Sequence, residues 1–494
     1  MLTRLQVSGF KNLVDVDVRF GPFTCVAGPN GAGKSNLFDA IHFLGLLADM
    51  PLLEAAMRVR AEEGRLGDIR NLFHRVGDRC DTRMDFAAEM IVPARGRDEL
   101  GQEAEATATF LRYTLSLAYS DQPQPGLEVL KEKLVHVMKG DLPQHLLFRH
   151  AVDSWRKSAV IVKRRAAPFI STEGSGRDRV IQIHQDGGSR GGPIKRSGTS
   201  LTRTVLSAAN AAEAPTVTLA KKEMKSWRLL QLEPSALRQP DSFVSPSLLG
   251  PDGANLAATV YRLAHSAGDG EPLAQGHAER AYAEVAARLS ELIDEVKQVA
   301  VDRDEKRELL TLKVADRHGT PYPAMVLSDG TLRFLALAVL ELDPLFQGVI
   351  CLEEPENGIH PGRVPAMLRL LQDIAVDTGK PVGPDNPLRQ VIVNTHSPAV
   401  VAQVPEDSLL VAELREAVRD RERFMRAVFL PLSETWRAKG ASPGESVAKG
   451  RLLAYLNPVA GVSDEEETAR PRGSRRVADR PDLRPWLPGI GGVK

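Results

Sequence analysis

The order of apolar and polar positions at the start of the chain predicts three strands followed by a helix. Leu2–Val7 and Val14–Phe20 both alternate between apolar and polar residues, as half-buried strands do. Phe23–Ala27 is a short apolar run, which is typical of a strand that is buried on both faces. In Asn36–Leu44 the apolar residues recur at helical spacing, so a helix follows a glycine-rich connection.

The sequence pattern over residues 46–320 predicts an inserted lobe of helical and irregular segments that also contains strands. Residues 46–75 have a mainly helical pattern. Further strands are predicted at Met84–Met90, Ala108–Tyr119, Glu128–Val137 and Leu309–Ala315, and further helices at 252–264 and 278–299. Residues 156–203 are rich in Arg, Lys, Gly and Ser, which predicts an irregular basic loop with one strand-like run at Val180–His184.

The C-terminal part of the chain returns to an α/β pattern. Apolar runs and helical patterns alternate over residues 321–412, so this segment is expected to complete a unit that residues 1–45 begin. Residues 413–460 have a helical pattern. Residues 461–494 mix charged residues, Pro and Gly with few apolar ones, which predicts a disordered tail. The predicted fold class is α/β, assembled from both chain ends.

A glycine-rich motif lies between the third strand and the helix. The residues Gly28-Pro29-Asn30-Gly31-Ala32-Gly33-Lys34-Ser35 match G-x-x-x-x-G-K-[ST], the phosphate-binding loop, in the strand–loop–helix context that the motif requires. Backbone N–H groups of such a loop surround the phosphates, and the helix N-terminus adds partial positive charge. Lys34 reaches the β- and γ-phosphates, and the Ser35 hydroxyl can bind Mg²⁺. The predicted nucleotide-binding residues are Gly28, Pro29, Asn30, Gly31, Ala32, Gly33, Lys34, Ser35 and Asn36.

Composition indicates where the protein acts in the cell but does not identify its chemistry. The 494 residues include 64 basic and 64 acidic ones, so no overall field favours nucleic acid or a membrane. No apolar run approaches the roughly 18 residues of a membrane span. Three widely separated cysteines indicate reduced thiols. The sequence therefore predicts a cytoplasmic protein without membrane contact.

Four further motifs follow in the C-terminal α/β segment. Leu327–Arg333 precedes an apolar helix, and Val349–Leu352 is an apolar run that ends in the carboxylates Glu353 and Glu354. Glu356–His360 follows at once. A second apolar run then ends at His396, in the segment Val391–Pro398. A carboxylate at the end of a buried strand near a phosphate loop can hold Mg²⁺ or polarise a water molecule.

These motifs together resemble the ABC-type ATPases of the RecF/SMC group, and within it the bacterial AAA family ATPases related to OLD and Septu-type defence proteins. Leu327–Arg333 is similar to the signature motif, Val349–Glu354 to the Walker B strand, Glu356–His360 to the D-loop, and His396 to the switch histidine. The resemblance covers residues 1–45 and 320–400. It implies a P-loop NTPase head of the ABC type.

The resemblance also implies roles for individual residues. Glu353 holds Mg²⁺ together with Ser35, Glu354 polarises the attacking water, and His396 senses the γ-phosphate beside Lys34. Ser328 and Gly330 are expected to cap the ATP of a partner protomer, so two heads enclose two nucleotides and the protein acts as a homodimer. Most relatives carry Asp where this chain has Glu353, which puts the metal geometry and the turnover rate in question.

These motifs leave more than one interpretation of the biological role of such an ATPase. One interpretation is a nucleic-acid-linked role in repair or anti-phage defence, with DNA or RNA bound by the basic loop 156–203. Against this interpretation, aromatic residues that could stack on bases are scarce near that loop, with only Trp155 and Phe169. A second interpretation is a slow-turnover, nucleotide-gated scaffold that recruits a partner effector without binding nucleic acid. A nuclease activity would come from a partner chain, because the residues after His396 lack a carboxylate cluster on a predicted strand.

Overall fold

The protein is described by a computed structural model over residues 1–59, 68–121, 126–162, 167–186, 192–266, 276–419, 421–440 and 446–456. The helices in these ranges are α1 (Lys34–Leu47), α2 (Leu52–Arg58), α3 (Leu142–His145), α4 (Lys157–Ala159), α5 (Pro215–Lys225), α6 (Pro234–Leu237), α7 (Leu256–His265), α8 (His277–Ser290), α9 (Asp329–Leu342), α10 (Val364–Ile374), α11 (Pro398–Gln403) and α12 (Lys449–Leu456). Of the helices in the described ranges, none has the length and apolar composition that crossing a bilayer demands.

The sheet that positions the site is mainly parallel. Within the described ranges its six strands lie in the order β14 (Arg228–Leu230), β19 (Gly348–Glu353), β20 (Arg389–Thr395), β3 (Phe23–Ala27), β21 (Leu409–Arg419) and β22 (Glu422–Pro431). The first five run parallel, and β22 returns antiparallel to β21. Strands β3 and β20 are buried along their whole length, as expected where both faces of a parallel sheet are covered.

Successive residues of these strands supply two different hydrophobic cores. Val26 of β3 packs into a core that includes Phe38 of α1 and the apolar side chains of the neighbouring antiparallel sheet. Cys25 and Ala27 point the other way, into a core with Phe334 of α9 and residues of α10. The parallel sheet is therefore the layer between the two cores, which holds its strand ends in a rigid setting.

The second large sheet is antiparallel. In the described part of the chain its eight strands lie in the order β13 (Ile194–Ser197), β12 (Val180–Ile183), β11 (Ile170–Glu173), β10 (Gly126–His136), β9 (Phe110–Ser120), β6 (Arg83–Ile91), β1 (Leu2–Ser8) and β2 (Val16–Arg19). In β1 and β2 buried residues alternate with more exposed ones, which is the pattern of a sheet with one covered face.

The remaining strands form smaller sheets. They are the hairpins β4 (Arg75–Val76) with β5 (Arg79–Cys80) and β7 (Arg95–Arg97) with β8 (Glu103–Glu105), and the sheet of β15 (Asp241–Ser242), β16 (Val296–Asp304), β17 (Leu309–Asp316) and β18 (Pro321–Pro323). Strand β17 joins this last sheet, because β15, β16 and β18 each pair with it.

The mixed α/β class and the predicted N-terminal elements are confirmed. Strands β1, β2 and β3 and helix α1 occupy the positions that the sequence pattern indicates. The predicted strands between 84 and 137 are β6, β9 and β10. The inserted segment contains more sheet than expected, because six of its strands extend the sheet begun by β1 and β2. It also adds β14 to the edge of the parallel sheet.

The prediction of a helical segment at 413–460 is wrong for its first half. Residues 409–431 form the antiparallel hairpin β21–β22, with pairs from Leu410↔Pro431 to Arg419↔Glu422. The Glu, Leu, Arg and Ala residues here favour helix weakly, and pairing of β21 with β3 overrides that preference. Only α12 (Lys449–Leu456) is an α-helix in the described part of this segment.

The helix predicted at 278–299 is also too long. Helix α8 ends at Ser290, and β16 begins at Val296. Val299 is fully buried and pairs with Val314 of β17, so cross-strand packing of β-branched residues replaces the last helical turns.

The basic segment 156–203 is more regular than expected where it is described. Besides β12, which matches the predicted strand-like run, it contains β11 and β13. Ile170 and Ile181 are fully buried, and their burial explains why these strands join the sheet. Residues 163–166 and 187–191 and the predicted disordered tail 461–494 lie outside the described residues.

Candidate functional site

The site lies where four parallel strands end at the same edge of the sheet. The register pairs Leu230 with Leu352, Glu353 with Asn394, and Thr395 with Ala27. The next residue along each strand therefore lies at the carboxyl edge, where ligands bind in open parallel sheets. This edge brings the glycine loop together with Glu353, Glu354 and His396.

The loop conformation requires glycine at position 33. Gly33 has φ of +94°, and a Cβ there would lie 2.6 Å from Cβ of Ala427 and 2.9 Å from the side chain of Asn12. Helix α1 begins at the next residue without a side-chain cap. Its first N–H groups therefore remain available to an anion.

Lys34 is held inside the loop. Its Nζ donates hydrogen bonds to the carbonyl oxygens of Gly28 at 2.6 Å and Pro29 at 3.0 Å. Burial lowers the pKa of Lys34 below its ordinary value, although the carboxylates of Glu354, Glu356 and Glu353 act in the opposite direction. The ammonium group thus lies in a partly dehydrated position, where a phosphate would compensate its charge.

One cavity of about 460 Å³ joins the loop to the carboxylates. Besides Leu232, its lining residues are Asn30, Gly31, Gly33, Lys34, Ser35, Asn36, Gln231, Glu233, Arg333, Glu353, Glu354, Asn357 and Asn394. The cavity therefore contains most of the predicted nucleotide-binding residues and both predicted Walker B carboxylates.

Glu354 is held by three neighbours at the mouth of this cavity. Its Oε1 lies 2.7 Å from Nδ1 of His396, and its Oε2 accepts a hydrogen bond of 2.8 Å from Nδ2 of Asn357. Its backbone N–H donates to Oδ1 of Asn394 at 3.0 Å, which holds Glu354 at φ of +45°. Burial raises the pKa of Glu354, but the hydrogen bonds from Asn357 and His396 outweigh it, so the pKa lies below its ordinary value.

Glu353 faces the same cavity from the last position of β19. Its Oε2 accepts a hydrogen bond of 2.5 Å from Nε2 of Gln231, and its Oε1 lies 3.4 Å from Nδ2 of Asn394. Gln231 is the first residue after β14, and the register places it next to Glu353. The Glu353 carboxylate, with the side-chain amide of Gln231 beside it, is suited to bind a hydrated cation.

The donor set fits Mg²⁺ bound together with phosphate. Within the described residues, no group of three or more His, Cys, Asp and Glu side chains could hold a metal alone. Mg²⁺ commonly takes one or two protein ligands and completes its shell with substrate phosphates and water. The Ser35 hydroxyl and the Glu353 carboxylate supply such a partial set at one cavity.

Ser328 and Gly330 lie outside the cavity of their own chain. Ser328 caps α9 by accepting a hydrogen bond of 3.2 Å from the N–H of Thr331, and its side chain is exposed. Gly330 packs against the D-loop, where a Cβ would lie 3.0 Å from the carbonyl oxygen of Gly358. Met325 and Val326 beside them are 67% and 62% exposed. This end of α9 therefore faces outward.

Several site residues were missed by the sequence analysis. Gln231 and Asn394 contact the carboxylates through side-chain amides, and no local motif distinguishes them. Glu356 is buried and accepts a hydrogen bond from Thr395 Oγ1, while its Oε2 has no partner. Burial raises the pKa of Glu356. The strand registers, which sequence periodicity does not reveal, bring these residues to the site.

The basic segment does not offer the stacking surface considered above. Trp155 and Phe169 are fully buried, so neither side chain is available to a base. Arg179 is buried and forms an ion pair with Glu128. Lys195 and Arg196 are exposed on β13, which lies at the end of the antiparallel sheet. Arg164 and Arg165 lie outside the described residues.

A glycine loop, a buried lysine and paired carboxylates at the carboxyl edge of a parallel sheet define a P-loop nucleotide-binding site. Comparison with known families agrees with this class. Residues 1–58 match the family described as "RecF/RecN/SMC N terminal domain". Residues 231–402 match the family described as "AAA domain, putative AbiEii toxin, Type IV TA system". The two matched segments contain the loop and the carboxylates, respectively.

Curated relatives match shorter parts of the chain. The OLD nuclease of Thermus scotoductus is 54% identical over 41 residues, which are 8% of this chain and 8% of the relative. The DNA replication and repair protein RecF of Paenarthrobacter aurescens is 29% identical over 184 residues, which are 34% of this chain and 43% of the relative. The chain thus spans less than half the length of these relatives.

Among solved structures, an SMC head bound to the C-terminal winged-helix domain of ScpA has a TM-score of 0.43 and 14% identity, over 87% of this chain and 98% of that one. The SMC head domain of Thermotoga maritima has a TM-score of 0.35 and 10% identity, over 87% and 99% of the two chains. The family and relative matches thus show that two segments of this chain, which together contain the glycine loop and the carboxylates, are similar to proteins of the RecF, SMC and OLD kind.

Proposed function

We propose that the protein binds and hydrolyses ATP with Mg²⁺ at this cavity, and that ATP brings two copies together head to head. The observation that carries the proposal is the convergence of Lys34, Glu353 and Glu354 on one cavity from separate parts of the chain, with His396 in contact with Glu354. ATP rather than GTP is proposed from the similarity to ATPase families.

Each side chain has a definite task in this mechanism. The N–H groups of the loop and the Lys34 ammonium bind the phosphates and neutralise their charge. Glu354, ionised and held by Asn357 and Asn394, accepts a hydrogen bond from the attacking water and orients it. His396 stabilises the ionised Glu354 through the contact of 2.7 Å between its Nδ1 and Oε1 of that carboxylate. Mg²⁺ held by Ser35 and Glu353 would neutralise charge that develops on the phosphate oxygens.

The proposed homodimer rests on the outward end of α9. An N-cap serine and a glycine at a helix N-terminus are suited to an anion, yet Ser328 is absent from the lining of its own cavity. The neighbouring Tyr322, Met325 and Val326 form an exposed apolar surface. A second head that places its ATP against Ser328 would cover this surface and complete the site.

The dimer can be tested through the concentration dependence of hydrolysis. In the wild type the rate of ATP hydrolysis per chain should rise with protein concentration and then level off. Ser328→Arg should abolish that rise, because a long side chain blocks the cap. Ser175→Arg, at another exposed serine, is the matched control. A constant rate per chain in dilute wild-type protein, equal to that of Ser328→Arg, would contradict the dimer.

We further propose a nucleic-acid-linked role in repair or defence, in which β13 contacts phosphates. Two observations support it: Lys195 and Arg196 are exposed on β13, and the curated relatives include a DNA replication and repair protein and a nuclease. Nuclease chemistry is assigned to a partner effector, because the described residues contain no group of three or more His, Cys, Asp and Glu side chains that could hold a metal by itself. A slow-turnover scaffold remains the competing proposal, supported by the longer Glu353 side chain.

The salt dependence of DNA binding separates these two proposals. Changing Lys195 and Arg196 together to Ala should lower the slope of log affinity against log salt by about 1.8, since each phosphate contact contributes about 0.9. Lys306→Ala with Arg307→Ala, an exposed basic pair on the β16–β17 connection, is the control. An unchanged slope, or no DNA binding by the wild type, would favour the scaffold.

A further inference from the structure

Arg333 faces the nucleotide cavity without a partner. It lies in the first turns of α9, five positions after the N-cap Ser328, and it lines the cavity together with Lys34 and Glu354. Its Nε is buried and has no hydrogen-bond partner. Across the part of the chain that the structure describes, the side chain of Arg333 forms no hydrogen bond and no ion pair. An arginine with five N–H donors and no acceptor is costly to leave in this state.

None of the carboxylates near Arg333 forms an ion pair with it in the described part of the chain, although Glu233 lines the same cavity. Asp329 forms an ion pair with Arg238, and Glu356 accepts a hydrogen bond from Thr395. Burial lowers the pKa of Arg333, while the charges of Glu233, Asp329 and Glu356 act against that shift. Because a guanidinium stays protonated at neutral pH, the cavity contains a half-buried positive charge that has no ion-pair partner among the described residues. An anion in the cavity would supply the missing acceptor.

The position of Arg333 on α9 links two surfaces. Five helical residues correspond to about 140° of rotation, so Arg333 and Ser328 leave α9 on different sides. Ser328 is exposed at the outer end, whereas Arg333 reaches the cavity on the inside. The loop, Lys34, Glu354 and Asn357 line that cavity together with Arg333. A contact between Arg333 and a nucleotide would therefore fix the orientation of α9.

We propose that Arg333 donates hydrogen bonds to the terminal phosphate of the ATP in its own chain and thereby positions helix α9. This inference rests on the proposed function, because it requires ATP in the cavity. Arg333 is a positioning residue in this account: each chain uses its own ATP to orient the Ser328 end that its partner needs. ADP, which lacks the terminal phosphate, leaves Arg333 unpaired.

The test compares ATP and ADP binding by Arg333→Ala, measured by calorimetry at a chain concentration where light scattering shows a monomer. ATP affinity should fall by about 10- to 100-fold, the range expected for lost hydrogen bonds to a charged group, while ADP affinity stays unchanged. Arg333→Lys should recover part of the loss, because it keeps the charge without the planar fork. Arg369→Ala, at an exposed arginine of α10, should behave as the wild type.

Thermal unfolding distinguishes this role from a merely structural one. Without nucleotide, Arg333→Ala should melt at or above the wild-type temperature, because it removes an uncompensated cation. Saturating ATP should then raise the melting temperature of the wild type more than that of the variant. A large loss of stability without nucleotide, an equal loss of ATP and ADP affinity, or unchanged ATP affinity would each overturn the inference. Failure of the wild type to bind ATP would instead overturn the proposed function.

Discussion

Glu354→Gln should lower the rate of ATP hydrolysis by about 10²- to 10⁴-fold, the usual contribution of a positioned general base. Gln keeps the size of the side chain and can still contact Asn357 and His396, so the loop and its ATP affinity should be unaffected. Hydrolysis is measured by phosphate release and binding by calorimetry in the same preparation. A matched control is Glu284→Gln, at an exposed glutamate of α8.

The pH dependence of the wild type gives a second test of this carboxylate. Because the pKa of Glu354 is lowered from 4.5, its charged form persists throughout the neutral range. The stability that this charge contributes is present above about pH 4.5, the unperturbed value, and is lost as the pH falls through the lower value in the folded protein. Protonation of Glu354 should therefore not lower the hydrolysis rate between pH 8 and pH 6. Any fall in the wild-type rate over this range should persist in Glu354→Gln. Normal turnover in that variant would show that another group orients the water.

Lys34→Ala should weaken ATP binding by at least about 100-fold, because it removes charge-assisted hydrogen bonds to the phosphates. Calorimetry with Mg-ATP measures the loss directly. Lys34 is 6% exposed and bonds to two loop carbonyls, so its removal could also disturb the loop. Lys34→Met, which keeps the apolar stem, separates the two effects. Both variants should lose binding, and Lys139→Ala, at an exposed lysine, should not. Unchanged ATP affinity in both Lys34 variants would show that the nucleotide binds elsewhere.

Local patterns in the sequence were sufficient to predict the elements around the loop. The apolar run of β3 and the helical spacing in α1 depend on neighbouring residues only, and both are confirmed. The hairpin β21–β22 could not be predicted in this way, because its residues favour helix and only pairing with β3 makes them strands. Burial of Trp155 follows from packing against Phe148 and could not be inferred from a basic segment.

At the site, too, local motifs predicted some residues, whereas others are brought there only by the fold. The glycine loop and the two Walker B carboxylates belong to contiguous motifs, and the structure brings them to one cavity. Gln231, Asn394 and Arg333 reach that cavity only through strand register and helix rotation. Asn394 and Arg333 lie within segments that the sequence analysis names, but no spacing within those segments indicates that their side chains line the site, so only the fold assigns them to it.

The central claim is that ATP closes two heads of this protein, and the mass of Glu354→Gln in solution tests it most directly. Light scattering should record a single chain without nucleotide and twice that mass with Mg-ATP, since this variant binds ATP without consuming it. Adding Lys34→Ala in the same chain should abolish the shift. A mass that is the same with and without Mg-ATP, in a variant that calorimetry shows to be loaded with ATP, would contradict the account.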